Sequence, residues 1–173
     1  DLNGGRAYAG RRAGDYSVHE RALAANYDAV DASLIDSTIW NYSAGNRHGH
    51  GELWNGEDLS IFCRDEREAG RSETGDPADA GGRALRGFVR PYARATSGEI
   101  LSMGFQTRRG VFSLRYRPDP AMAAPTEIFV PEVQYPDGFI YEVEGGEAEV
   151  QRGRLLVSAH LGAKEVCVRI TRK

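Results

Sequence analysis

The sequence predicts an α/β segment followed by an all-β domain, and three observations predict it. A capping box leads into an apolar stripe of helical period between Ser17 and Asp36. A short β-branched and aromatic run, "STIWNY", follows at once. From about Thr96 onward the chain breaks into short alternating runs separated by turn-forming residues.

Taken in order, Asp1 to Gly14 is rich in Gly and Arg and reads as a loop. Ser17 with Glu20 three residues on forms the capping box, and Leu23, Tyr27, Val30 and Leu34 place apolar side chains on one helical face. Asp36 is a natural stop. Ser37 to Tyr42 reads as a strand, and a helix followed directly by a strand is half of a parallel-sheet unit. Ser43 to Asp79 is then a long loop with one apolar patch at Leu59, Ile61 and Phe62. Loops of this length without structure are uncommon and tend to be functional or disordered, and Arg64 to Gly82 is expected as the mobile part. A second helix fits Gly82 to Ala95, where Leu85, Phe88, Val89 and Tyr92 share a face. Pro91 is expected to end or kink it, because proline lacks a backbone donor.

The all-β reading rests on "EILSMGFQ", "GVFSLRYRP", "TEIFVP", "FIYEVEGG", "AEVQRG", "RLLVSAHLG" and "EVCVRITR". Turns such as "RRG", "PDPAMAAP", "YPDG" and "LGAK" separate them, and short strands at this spacing indicate an antiparallel sandwich. The alternation in "LLVSAHL" and "VCVRITR" predicts one buried face.

The chain has 173 residues, 40% of them hydrophobic and 27% charged, with a net charge of −3. That balance suits a soluble globular protein and excludes one built mainly to bind nucleic acid, which needs a clustered basic face. No apolar run approaches the roughly 18 residues of a membrane span. No leader is visible before Asp1, so the compartment stays open between cytoplasmic and secreted. Cys63 and Cys167 fit no metal or CxxC spacing and are expected as two thiols. His48 and His50 form an HxH, but no third ligand is spaced to help, so no metal and no cofactor are expected. His19 and His160 read as structural, and the Gly81–Gly82 pair lacks the strand and lysine of a phosphate cradle.

Both tryptophans, Trp40 and Trp54, fall in "STIWNYSAGNRHGHGELWNGEDLSIF", each followed by an Asn, with Glu57–Asp58 close behind. This stretch, with "DYSVHERALAANYDAVDASLIDSTIWNYSAGN", "GGRALRGFVRPYARA" and "APTEIFVP", resembles glycoside hydrolase family 5, in particular its endoglycoceramidase and steryl-β-glucosidase branch. The resemblance implies the end of a (β/α)8 barrel over residues 1–95, comprising the seventh helix, the eighth strand, a long loop and the eighth helix. A β-sandwich over residues 96–173 would follow.

The resemblance also implies roles. Barrel active sites lie on the loops after the strands. Trp40 would form the floor beneath the sugar, since a pyranose stacks its C–H face on an indole. Asn41, Trp54, Asn55, Glu57 and Asp58 are the other substrate-binding candidates. Structural alternatives stand beside each: a core Trp, a loop-pinning Trp, carboxylates that bond loop amides.

Retaining glycosidases need two carboxyl groups about 5–5.5 Å apart. The family's two glutamates would precede Asp1, so no catalytic residue is assigned and the chain alone is expected to be inactive. The partners implied are a β-glycoside or glycolipid substrate, the N-terminal barrel portion of the same protein and, through an uncovered apolar helix face, a second copy. A different class of reading is a carbohydrate-binding or structural sandwich without catalysis. Against it, residues 96–173 contain no Trp, leaving Tyr116, Tyr135 and Tyr141 as sugar-stacking candidates.

Overall fold

The computed structural model describes residues 15–53 and 58–173. The N-terminal loop expectation, and the site candidates Trp54, Asn55 and Glu57, lie outside the described residues. The chain divides into two compact units. The first comprises Asp1–Ala25 with Ser37–Phe88, and the second Asn26–Asp36 with Val89–Lys173.

Helix α1 (Ser17–Ser33) forms where the apolar stripe predicted it, but its cap differs. Asp15 Oδ1 accepts from the Ser17 amide at 3.0 Å, and Glu20 N bonds the Tyr16 carbonyl at 2.9 Å. The helix therefore starts on Asp15–Tyr16, and the expected Ser17–Glu20 box is not what closes it. The Ser17 hydrogen bonds hold the Asp15 carboxyl below its usual value. The helix stops at Ser33, short of Asp36, with Leu34 in the left-handed region at φ 51°.

In the first unit, Tyr16 and Ala84 form a small buried cluster with Leu23 packed against it. The segment Ser37–Tyr42, expected as a strand, does not form one. It carries no sheet pairing among the described residues, and a strand without neighbours leaves its backbone groups to other partners. The segment expected to be mobile, Arg64 to Gly82, instead holds α2 (Arg64–Glu68) and a 3-10 turn (Pro77–Asp79), and α3 (Leu85–Phe88) follows it. Helix α3 is shorter than the expected Gly82–Ala95 helix. It ends before Pro91, since the residue preceding a proline disfavours the α conformation, and the chain turns into a strand. Gly87 lets α3 approach α1 closely: a Cβ there would sit 2.8 Å from the Glu20 Cα.

The second unit holds two four-stranded antiparallel sheets. One has the order β1 (Tyr92–Ala95), β4 (Thr126–Phe129), β7 (Arg154–Ala159), β6 (Gly146–Gln151). The other has β2 (Gly98–Gln106), β3 (Val111–Pro118), β8 (Val166–Arg172), β5 (Phe139–Glu144). All seven expected β runs contain a strand. Strand β1 was expected as helix, and its Tyr92 pairs with Phe129 of β4.

The period-two pattern decides which face is buried. Phe112, Leu114 and Tyr116 of β3 pair with Ile170, Val168 and Val166 of β8. These join Ile128, Leu155 and Val157 from the other sheet in one core. Each fully buried aliphatic or aromatic side chain contributes about 1.5–3 kcal/mol relative to exposure. The resulting fold class is the expected one: a first region consistent with part of a (β/α)8 barrel, then a β-sandwich.

Candidate functional site

The candidate site belongs to the first unit and is organised by a central segment, residues 58–64, hydrogen-bonded on both sides. On one side Ile61 N bonds the Asn41 carbonyl at 2.9 Å, Ser43 N bonds Ser60 Oγ at 2.9 Å, and Arg64 N bonds the Asn46 carbonyl at 2.8 Å. On the other, Arg83 N bonds the Ile61 carbonyl and Cys63 N the Gly81 carbonyl, both at 2.8 Å. The apolar patch read from the sequence thus serves as the spine of the loop, with Phe62 buried and tilted against Tyr42.

Trp40 stands at the edge of this framework with 70% of its surface exposed. Its peptide bond to Asn41 is cis. Asn41 donates to Glu52 Oε1 at 3.5 Å, the outer limit of a hydrogen bond, while its Oδ1 is buried without a partner. Glu52 also accepts the Leu59 and Ser60 amides, at 2.8 and 3.0 Å. One carboxylate therefore ties the Asn41 side chain to the central segment. Glu52 was not singled out in the sequence; its place beside "LWNG" was the available signal.

Asp58 lies deep inside. It is fully buried, and the guanidinium of fully buried Arg83 donates to it from Nη1 at 2.9 Å and Nη2 at 2.5 Å. Arg83 Nε also donates to the Ser60 carbonyl at 3.1 Å. Burial works to lower the Arg83 pKa, but the hydrogen bonds and charge of Asp58 outweigh it and hold the guanidinium above its usual value. The pair is bidentate and holds residues 58–60 to the segment entering α3. In this position Asp58 ties the loop to the segment entering α3. Of the six sequence-derived candidates, the structure therefore describes Trp40, Asn41 and Asp58. It links Asn41 to the central segment through Glu52 and buries Asp58 away from the surface that Trp40 occupies.

A second cluster was not legible as a unit. Tyr16 donates to Glu66 Oε1, and Glu66 is buried at the start of α2. His48 Nε2 lies 3.4 Å from the same oxygen, and the sulfur of buried Cys63 completes a group whose ligating atoms lie within 4.8 Å of one another. Burial pushes the Cys63 thiol and the Tyr16 hydroxyl above their usual values, with Glu66 adding to the rise for Tyr16. The HxH does not act as a pair: His50 Nδ1 is engaged with the Gly51 carbonyl at 2.7 Å. Both cysteines are free thiols. No helix of the described residues is long and apolar enough to cross a membrane.

Residues 90–171 match the glycoside hydrolase family 5 C-terminal domain. A glucosylceramidase of Rhizopus delemar is 33% identical over 129 residues, covering 70% of this chain and 19% of that protein. Endoglycoceramidase I of Rhodococcus hoagii is 39% identical over 92 residues, covering 53% of this chain and 18% of that protein. The crystal structure of sterylglucosidase 1 from Cryptococcus neoformans aligns with a TM-score of 0.80 at 26% identity, over 92% of this chain and 25% of that one. The chain thus spans about a fifth to a quarter of the length of the relatives it matches. With its two-sheet C-terminal unit matched to that domain and its first unit aligned alongside, the chain belongs to glycoside hydrolase family 5, in the branch of the sterylglucosidases and glucosylceramidases.

Proposed function

We propose that this chain is the C-terminal part of a retaining β-glycosidase that hydrolyses the O-glycosyl bond of a β-glucosylated lipid. Residues 1–95 end the barrel and 96–173 form the accessory sandwich. The two catalytic glutamates lie upstream, one as nucleophile and one as acid/base. The observation that carries this reading is Trp40, an indole left 70% exposed on a backbone tied down at Asn41 and Ser43. Holding an apolar ring open to solvent on a fixed backbone suits a platform for the C–H face of a sugar. Asn41, kept near the ring by Glu52, supplies polar contacts to the hydroxyls as part of one wall of the cleft, and Trp54, Asn55 and Glu57 are the remaining candidates for sugar contacts. Asp58 acts through Arg83, as the anchor of that wall.

The lipid aglycone is inferred from the relatives' names, glucosylceramidase and endoglycoceramidase. A sugar-binding sandwich without catalysis has less support. The exposed tyrosines of the second unit, Tyr92 and Tyr141, belong to different sheets and form no aligned strip.

The test is hydrolysis of a fluorogenic β-glucoside by the 173-residue chain and by the same protein extended upstream through a complete barrel. Activity only in the extended protein, reduced by Trp40→Ala mainly through KM, is the expected result. Turnover by the short chain would overturn the assignment of the chemistry to upstream residues.

A further inference from the structure

We infer that His48, Cys63 and Glu66 form a binding site for a single divalent transition-metal ion of the zinc class, with a water molecule as the fourth ligand. The residues are 15 and three positions apart in the chain, and only the fold assembles them. The turn Arg47–Gly51, closed by a backbone bridge, presents His48. Cys63 is the residue at which α2 begins, and Glu66 lies on the first turn of that helix. Arg47 clamps the turn to the helix by pairing with Asp65 and Glu68, and Asp65 Oδ2 accepts the His48 amide at 2.9 Å. The scaffold under the three donors is thus fixed by contacts that the donors do not supply.

The donor chemistry and spacing fit. A tetrahedral zinc ion with N and O bonds of about 2.0–2.2 Å and an S bond of about 2.3 Å separates its ligand atoms by about 3.3–3.6 Å. His48 Nε2 and Glu66 Oε1 are already 3.4 Å apart, and all three ligating atoms lie within 4.8 Å of one another. Nitrogen, thiolate and carboxylate together suit zinc better than magnesium or calcium, which take oxygen ligands.

Charge points the same way. On coordination the thiol proton leaves to solvent, and thiolate plus carboxylate balance the dication. Arg83, the cation that also faces this cluster, is committed to Asp58 by two hydrogen bonds. Cys63 and Glu66 are buried, whereas the His48 side chain keeps 28% of its surface exposed and leaves a way in for the ion and its water. Tyr16 donates to Glu66 Oε1, the same oxygen that faces His48 Nε2, and so holds the carboxylate in place beside the histidine. The ion joins the Arg47–Gly51 turn to α2, which gives it a structural role in holding the loop that follows Trp40.

The test is titration of the reduced chain with Co2+, read by the thiolate-to-metal charge-transfer band and the intensity of the d–d bands. One equivalent should give a four-coordinate spectrum with a sulfur band, displaced by Zn2+. Cys63→Ser should abolish the sulfur band, while Cys167→Ser and His50→Ala leave it intact. His48→Ala, at the partly exposed ligand, should weaken the apparent affinity at least tenfold and still melt cooperatively, so the claim survives if Cys63→Ser fails to fold. A chain that gives no sulfur band with excess Co2+, or a band that persists in Cys63→Ser or vanishes in Cys167→Ser, overturns the site. The readout is ligation itself and is independent of whether the protein hydrolyses glycosides.

Discussion

Arg83 is a fully buried cation of the first unit. It and Asp58 are both fully buried, so each needs the other to offset the loss of hydration. Replacing Arg83 by Met removes the two hydrogen bonds and the charge that Arg83 gives the buried Asp58 carboxylate, and should cost about 3–5 kcal/mol of unfolding free energy. Adding Asp58→Leu to that variant should recover most of the loss, because the buried charge is then gone. Urea denaturation of the three variants measures both; a loss below about 1 kcal/mol for Arg83→Met would show that Asp58 finds water or another donor. The sequence made Asp58 a candidate for substrate because it follows "WNGE", and it could not show the partner, which lies 25 positions away. The same limit hid the metal cluster. Cys63 and Glu66 are spaced three apart, as ligands on a helix often are, but His48 comes from a different turn. Pairings of this kind are tertiary facts, visible only once residues 58–64 are known to run between residues 41–46 and 81–83.

The sheets were legible because their signal is local. Alternation in "VCVRITR" puts Val166, Val168 and Ile170 on one face, and that face is the buried one. Strand β1 was not legible, since "YARA" carries no alternation and its pairing with β4 skips a register step between Ala93 and Ala95. Ser37–Tyr42 shows the reverse case: its composition is strand-like, but a strand needs a neighbour, and none pairs with it among the described residues. Two glycines test how tightly the strands are set. A Cβ on Gly146 of β6 would lie 2.6 Å from the Ser158 carbonyl of β7, so Gly146→Ala should force the two strands apart. The expected cost is about 1–3 kcal/mol. Gly104 of β2 has open space around its Cβ position, and Ala there restricts the unfolded chain without a clash, so Gly104→Ala should be neutral or raise stability by about 0.4–1 kcal/mol. Thermal melts of both variants, compared at equal protein concentration, decide it. Equal destabilisation by the two would mean that β6–β7 spacing relaxes more readily than the ladder from Gly146 to Gln151 suggests.

At the scale of the whole molecule, apolar side chains remain uncovered in and around the segment that the family resemblance assigns to the barrel. Leu34 and Ile35 are 42% and 60% exposed, and Tyr42 and Leu53 are 63% and 76% exposed. Single exposed hydrophobics are ordinary on a protein surface, but these four with Trp40 make five large ones within twenty residues of sequence, a liability in a chain that spans about a fifth to a quarter of its relatives. In a longer protein, upstream residues can cover them; in the 173-residue chain a second copy can. Sedimentation velocity should therefore show association that grows with protein concentration. Ile35→Asp and Leu53→Asp, both at exposed positions where a charge adds no buried cost, should shift the distribution toward monomer without lowering the melting temperature. Supplying the upstream barrel portion as a separate polypeptide should compete with self-association, because both partners would cover the same residues. A chain that stays monomeric at high concentration, and ignores the added barrel portion, would show that these side chains are settled in water and that the sandwich alone supplies enough core for an independent fold.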